Sequence, residues 1–382
     1  MARNTLSVTA IVLLAIVSCG CREHPAGPGQ PVTLRVGHVA HDHHLALYVA
    51  LDNAEAYAAR TGISVRKVRD REFYELLDGG RHVANLHVIQ VGGGARMPTA
   101  LAQGIIDVGL GGTAPVLAAC DRGAPVKLIA PLHSKGNMLV VRPDLPVQSW
   151  QEFVTLVRNS ETSFRMGYKS PMAVAKLLLE DALRYEGIAF GGGPTDAGVR
   201  VNMINVKEDG NLNVSLSQGL IDGYVGNNPF PAIGVEKGIA KIVCALEDLP
   251  PGRFRDHPCC CIAANMRSLA GKEDAVVGLL VLLLQANETI NDDLDAVVPI
   301  ACRWIGAGEE VERMSIPTSG YSLEPDAAWH EGMGMWFDVM NDLGVFQGAL
   351  LGLERAEATA VACGLSLLER AERRLAAGGA HD

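Results

Sequence analysis

The chain has 382 residues, 48% of them hydrophobic and 20% charged, with a formal net charge of −10. This is globular composition with material for two or three domains. Lys and Arg are scattered under an acidic balance, so no nucleic acid is expected as a partner, and with aromatic residues at 5% no stacking platform is expected either.

In chain order, "MARNTLSVTAIVLLAIVSCGC" begins with the basic Arg3 and continues as a mostly apolar run from Leu6 to Val17. That length suits the core of a signal peptide over residues 1–18 and is too short to span a bilayer. Ile16-Val17-Ser18-Cys19 resembles a bacterial lipobox, with Cys19 as the residue that receives lipid; Cys21 fits less well because Ser18 would then stand at the aliphatic position. Residues 19–31 form a Pro/Gly-rich tether that cannot pack a core. The expectation is an exported periplasmic or cell-surface lipoprotein held to the membrane by lipid alone, with an ordinary secretory signal as the alternative.

"VTLRVGHV" (32–39) predicts a strand, "HHLALYVALDNAEAYAARTG" a helix stopped at Gly62, and "ISVRKVRD" a second strand. Alternation on both sides of Asp78-Gly79-Gly80 predicts a hairpin within 70–90. A Gly-rich turn (Gly92-Gly93-Gly94), a helix near 97–103, the strand "IIDVGLG", a helix from Ala114 and the strand "VKLIAPLH" follow. Alternating strands and helices with short connections predict a mostly parallel α/β sheet. After "NMLVVRP" the pattern restarts and runs to "KIVCALED"; "HPCCCIAAN" (257–265) predicts a strand returning to the first lobe, and the rest reads as helix. "AVVGLLVLLLQA" (275–286) is short enough for a buried helix rather than a membrane span.

The chain writes one phrase twice: "LAQGIIDVGLGGTAP" (101–115) and "LSQGLIDGYVGNNPF" (216–230). Their aspartates, Asp107 and Asp222, lie about 115 residues apart, too far for a solenoid repeat and suited to two similar lobes. Each phrase ends a strand in a turn where open α/β sheets bind ligands. The predicted organisation is lobe one over 32–136 plus 264–355, lobe two over 137–263, and a helical tail over 356–382.

The stretches "VGHVAHDHHLALYVAL", "VGGGARMPTALAQGIIDVGLGG", "GAPVKLIAPL", "SQGLIDGYVGNNPF" and "HPCCCIAANMR" resemble the periplasmic binding proteins of the nitrate/sulfonate/taurine importer class, which also includes binders of thiamine-pyrimidine precursors. The resemblance covers roughly residues 32–300. It implies an α/β, two-lobe periplasmic binding protein type II fold hinged by two crossing strands. It also implies an ABC-transporter solute-binding protein that captures a small anionic or heteroaromatic molecule for a permease, as a monomer, without cofactor and without chemistry. The hairpin at 70–90 and the His-rich first loop depart from the family pattern.

The residues expected to meet the ligand are those at strand ends and helix starts. In lobe one they are His38, His41 and His44, Gly93, and the amides of Gly112, Thr113 and Ala114, which can bind an anionic or carbonyl oxygen. In lobe two they are Lys169 and Ser170, Asn227 and Asn228, and the ring of Phe230. Gly109-Leu110-Gly111-Gly112-Thr113-Ala114 also fits a dinucleotide G-x-G-x-x-A, but no acidic residue ends the next strand. His38, His41, Asp42, His43 and His44 could hold zinc or another divalent metal, with His41 and His43 as the candidates; hydrogen bonding to a ligand is the reading preferred here, and a periplasmic metal-binding protein the alternative. Three adjacent cysteines, Cys259-Cys260-Cys261, cannot all face one side of a strand, so a hinge strand with small buried side chains is expected there. The fungal thiamine-pyrimidine synthase, a related fold with a Cys run, His and iron, supplies an enzyme as third alternative. The remaining cysteines of the nine read as small buried hydrophobes rather than a disulfide framework.

Overall fold

A computed structural model of the chain describes residues 30–93, 96–193 and 198–378. The expected signal peptide, the Cys19 lipidation site and most of the tether lie outside the described residues. Two sheets organise the rest. The first contains β1 (Val32–His38), β2 (Ile63–Arg69), β3 (Phe73–Asp78), β4 (Arg81–Gln90), β5 (Val108–Gly112) and β6 (Val126–Lys135). The second contains β7 (Asn137–Val141), β8 (Phe164–Tyr168), β9 (Phe190–Gly191), β10 (Val201–Asn205), β11 (Gly223–Asn227) and β12 (Lys241–Ala245). The chain then re-enters the first sheet with β13 (Pro258–Asn265) and β14 (Ser319–Tyr321). The orders are β14-β6-β13-β5-β1-β4-β3-β2 and β12-β7-β11-β8-β10-β9. This is the expected two-lobed α/β architecture.

The sheet of lobe one is not mostly parallel. Only β4–β1–β5 are paired in parallel, whereas β2–β3, β3–β4, β5–β13, β13–β6 and β6–β14 are antiparallel. The hairpin is the reason on one side. Its turn, Gly79 and Gly80, is left-handed at φ 55° and 79°, which glycine adopts without a Cβ clash. The hairpin inserts β4 beside β1 and pushes β2 to the sheet edge. On the other side, the returning β13 runs wholly inside lobe one between β5 and β6, so the chain leaves lobe two before residue 258 rather than after 263. The C-terminal tail docks on lobe one, where Leu128 bridges to Cys363 and the helix Ser366–Gly378 lies against the helix Glu273–Asp292.

Lobe one buries its apolar helices on the sheet. The helix Leu45–Asp52 is apolar at every position except its last, and its first seven residues are buried. The run that reads as a short buried helix belongs to Glu273–Asp292; no helix among the described residues is long and apolar enough to cross a membrane.

The doubled phrase now has a structural meaning. Each Gln-Gly ends a helix with the glycine at φ 66° (Gly104 and Gly219), and each Asp then clasps an arginine of the neighbouring strand. Asp107 accepts from the Arg35 backbone N–H at 2.8 Å, from Nε at 3.1 Å and from Nη2 at 2.7 Å. Asp222 repeats this with Arg165 at 2.9, 3.0 and 2.6 Å. Burial acts to raise both carboxyls, but the bonds from Arg35 and Arg165 outweigh it and hold them below the usual carboxylate value. Hydrogen bonds to charged groups contribute about 1.5–3 kcal/mol each. The repeated aspartate therefore braces a strand pair in each lobe and leaves ligand contact to the turns beyond it.

The first crossing between lobes is a single residue. Gly136 separates β6 from β7 at φ 76°. Its carbonyl accepts from the Asn228 backbone N–H at 3.1 Å and from His43 Nε2 at 3.0 Å, so one peptide ties the turn of lobe two to the first loop of lobe one.

Candidate binding site between the lobes

The loop after β1 turns inward, and His41, Asp42, His43 and His44 are all at most 3% exposed. Together with Gly112, Pro115, Cys259 and Cys260 from lobe one, His41 and His43 face Asn137, Lys169, Ser170 and Asn227 from lobe two across a cavity of about 40 Å³. That volume encloses roughly one or two waters. Lys169 supplies the cation: its Nζ lies 3.0 Å from Asp209 Oδ1 and donates to Asn227 Oδ1. A larger hollow of about 630 Å³ lies where the tail docks on lobe one and is lined by Arg81, Arg370, Arg374 and others, with none from lobe two; Arg370 and Arg374 are paired there with Asp274 and Asp78.

The sequence expectations divide accordingly. His41, Gly112, Lys169, Ser170 and Asn227 line the cavity. Thr113 and Ala114 begin the helix Thr113–Asp121 behind Gly112 and are fully buried, with Thr113 Oγ1 lacking a partner. His38, His44, Gly93, Asn228 and Phe230 are not among the lining residues. His38 instead meets the Tyr48 hydroxyl at 3.1 Å and packs edge-on to Trp304, while burial lowers it to about 4. His44 Nδ1 accepts from the Val39 N–H at 2.9 Å. Asn228 points its amide at Ser315 O and Thr318 Oγ1. The Phe230 carbonyl accepts from Asn213 and Tyr224.

Four residues here follow from the crossing strands: His133 and Asn137, which carry no signal in the sequence, and Cys259 and Cys260, which read there as part of a hinge strand of small buried side chains. His43, His133, Cys259 and Cys260 bring one nitrogen or sulfur each to within 4.8 Å of one another, all buried. Alternation along β13 argues against this, and a bulge overrides it. The β13–β6 register slips on both sides of Cys260, where Pro258 faces Ser134, Cys260 faces His133 and Cys261 faces Pro131. Pro131 has no N–H to give the ladder, and a bulge re-aims side chains. Cys259 and Cys260 consequently both approach His43 Nδ1, at 3.6 and 3.8 Å. The Cys run is therefore more than a strand of small buried side chains.

The electrostatics of this cluster follow from burial. Burial lowers His41 and His44 well below the ordinary imidazole value and His133 to about 3, so all three are neutral at pH 7. Burial acts to raise the Cys259 thiol, but a hydrogen bond from the Cys260 thiol, with His43 and His133 beside it, holds it well below the usual thiol value. Cys260 is raised by burial and by that same bond. The Asn137 amide donates to Cys259 Sγ at 3.1 Å.

Comparison with known proteins fits this geometry. The model of the NMT1-like family matches residues 27–305. The chain is 36% identical over 137 residues to the uncharacterized protein MJ1180 of Methanocaldococcus jannaschii, a match covering 36% of this chain and 90% of that protein. Among solved structures, the ligand binding component of an ABC-type import system from Staphylococcus aureus with zinc bound has a TM-score of 0.68 at 17% identity, over 90% of this chain and 99% of that one. The periplasmic nitrate-binding protein of Synechocystis PCC 6803 has a TM-score of 0.66 at 13% identity, over 90% of this chain and 89% of that one. At such identities the likeness establishes the fold, that of the periplasmic binding proteins.

Proposed function

The chain belongs to the NMT1-like family, and from that premise we propose that it is the solute-binding component of an ABC importer. It captures a small polar molecule between its lobes and hands it to a permease, without performing chemistry. The observation that carries this reading is the cavity itself, which is closed by His41, His43 and Gly112 on one side and by Lys169, Ser170 and Asn227 on the other. A solute touching both sets is held only when the lobes are together, so binding selects the closed form. Anchoring through lipid on Cys19 and action as a monomer belong to the same proposal. The Lys169 ammonium on the cavity wall favours the anionic class.

The cation is the residue to test. In a Lys169→Met/Asp209→Asn chain, which leaves no buried carboxylate unpaired, an anion loses a charge-assisted bond that contributes about 1.5–3 kcal/mol, or roughly 10- to 150-fold in affinity. Melting temperature measured with nitrate, taurine and a 4-aminopyrimidine should rise with at least one of them in the wild type and fail to rise in the variant. An equal rise in both chains, or no rise and no small molecule retained in native mass spectra, contradicts the proposal.

A further inference from the structure

We infer that His43, His133, Cys259 and Cys260 form a preformed four-coordinate site for a resident thiophilic divalent cation of the zinc class, facing the inter-lobe cavity. This goes beyond the solute-binding reading and stands on separate observations. The first is convergence: two imidazoles and two thiols are gathered, fully buried, within 4.8 Å. With metal–sulfur bonds of about 2.3 Å and metal–nitrogen bonds of about 2.0–2.1 Å, tetrahedral donors lie about 3.3–3.8 Å apart. The Cys259 and Cys260 sulfurs already stand 3.6 and 3.8 Å from His43 Nδ1, so binding needs only a small contraction of the rest.

The second observation is that both rings are held in the orientation a ligand needs. A carbonyl only accepts, so the 3.0 Å contact of His43 Nε2 with Gly136 O places a proton on Nε2 and turns Nδ1 towards the two cysteine sulfurs, where it is the nitrogen a metal would take. The 3.0 Å contact of His133 Nδ1 with Ser134 O leaves Nε2 bare, and that nitrogen is buried without a partner. A backbone carbonyl on the far nitrogen is how metal-bound histidines are oriented. Two imidazoles and two thiolates select tetrahedral zinc over the oxygen-seeking calcium and magnesium.

The third observation is placement. His43 follows β1, His133 ends β6 and the two cysteines begin β13, all in lobe one. The donor set therefore survives opening of the cleft. That is the arrangement of a resident ion, since cargo held by closure draws contacts from both lobes. Ion binding releases the thiol protons to solvent.

The test titrates reduced full-length protein with zinc chloride against a chromophoric chelator, and repeats it with cobalt(II) to read thiolate-to-metal charge transfer. Wild type should bind one zinc per chain and show the charge-transfer band. Cys259→Ser and His133→Ala should each lose at least about 100-fold in affinity, with the band diminished in the cysteine variant, while Cys261→Ala retains both. The Lys169→Met/Asp209→Asn chain, lacking the solute cation but keeping the donors, should bind zinc normally. Zinc bound with wild-type affinity by Cys259→Ser and His133→Ala overturns the inference. So does absence of zinc binding in wild-type protein that still responds to a solute probe, an outcome that leaves the solute-binding reading intact. Zinc binding without any solute response supports the metal site and contradicts that reading instead.

Discussion

Gly136→Ala is expected to destabilise the folded chain by about 2–5 kcal/mol, and Gly80→Ala by only about 1–2 kcal/mol. Both glycines are left-handed, at φ 76° and 79°, and a Cβ in that region carries a conformational cost of about 1–2 kcal/mol. They differ in what the Cβ meets. At Gly80 nothing lies within 4 Å, whereas at Gly136 the new atom would stand 2.5 Å from Ser319 Oγ and 2.7 Å from His43 Nε2. Overpacking of that kind adds about 1–3 kcal/mol. The displaced ring is the one whose Nε2 the Gly136 carbonyl holds, so the variant should also lose affinity for any ion or solute that meets His43. Denaturant midpoints for the two variants measure the difference, and equal losses would show that the lobe crossing is not packed as described.

The second large effect depends on pH. Asp42 and Glu312, both fully buried, come from the first loop and from the helix Glu309–Ser315, which packs on the helix Phe230–Glu236 of lobe two. Burial raises Glu312 to about 9, and the neighbouring Asp42 adds to it; burial raises Asp42 itself to about 6. A carboxyl whose folded value exceeds its unfolded value keeps a proton that the unfolded chain releases. The stability it contributes is complete below about 4.5 and is lost as pH rises towards about 9. Glu312→Gln keeps a neutral amide at every pH. The variant should therefore match wild type near pH 5 and gain on it above, by up to about 1.4 kcal/mol per pH unit. The comparison is a difference between chains, so the buried histidines, which lose stability on the acid side of 6.5, and Cys259, which gains it towards 9.0, cancel. Thermal melts at pH 5, 7 and 8.5 decide it, and a constant offset across that range would mean that Glu312 is ionised in the fold.

Much of the architecture was legible because it is written locally. The Asp78-Gly79-Gly80 hairpin, the helix stop at Gly62 and the twin Gln-Gly-x-x-Asp phrases each carry their own turn chemistry, and the repetition of the phrase itself points to two lobes. Strand partners were less legible, since pairing β13 antiparallel between β5 and β6 depends on contacts far apart in sequence. The site divided along the same line. Lys169, Ser170, Gly112 and Asn227 stand at strand ends or helix starts, where position alone points into a cleft. His38 stands at such an end too, yet Tyr48 and Trp304 draw it into the core. Strict alternation argues against Cys259 and Cys260 together; it holds for a regular strand and fails at the slip that leaves Cys259 unpaired between Pro258, opposite Ser134, and Cys260, opposite His133. His133 carried no local signal at all; it becomes part of the site only because β6 and β13 are neighbours.

The central claim is that two lobes close on one small solute. Small-angle scattering of the reduced full-length protein, with and without the probe that raises its melting temperature, tests this most directly. The account expects the radius of gyration to fall on adding the probe to wild type and to stay unchanged in the Lys169→Met/Asp209→Asn chain. A probe that binds wild type tightly while the scattering profile stays the same would contradict it.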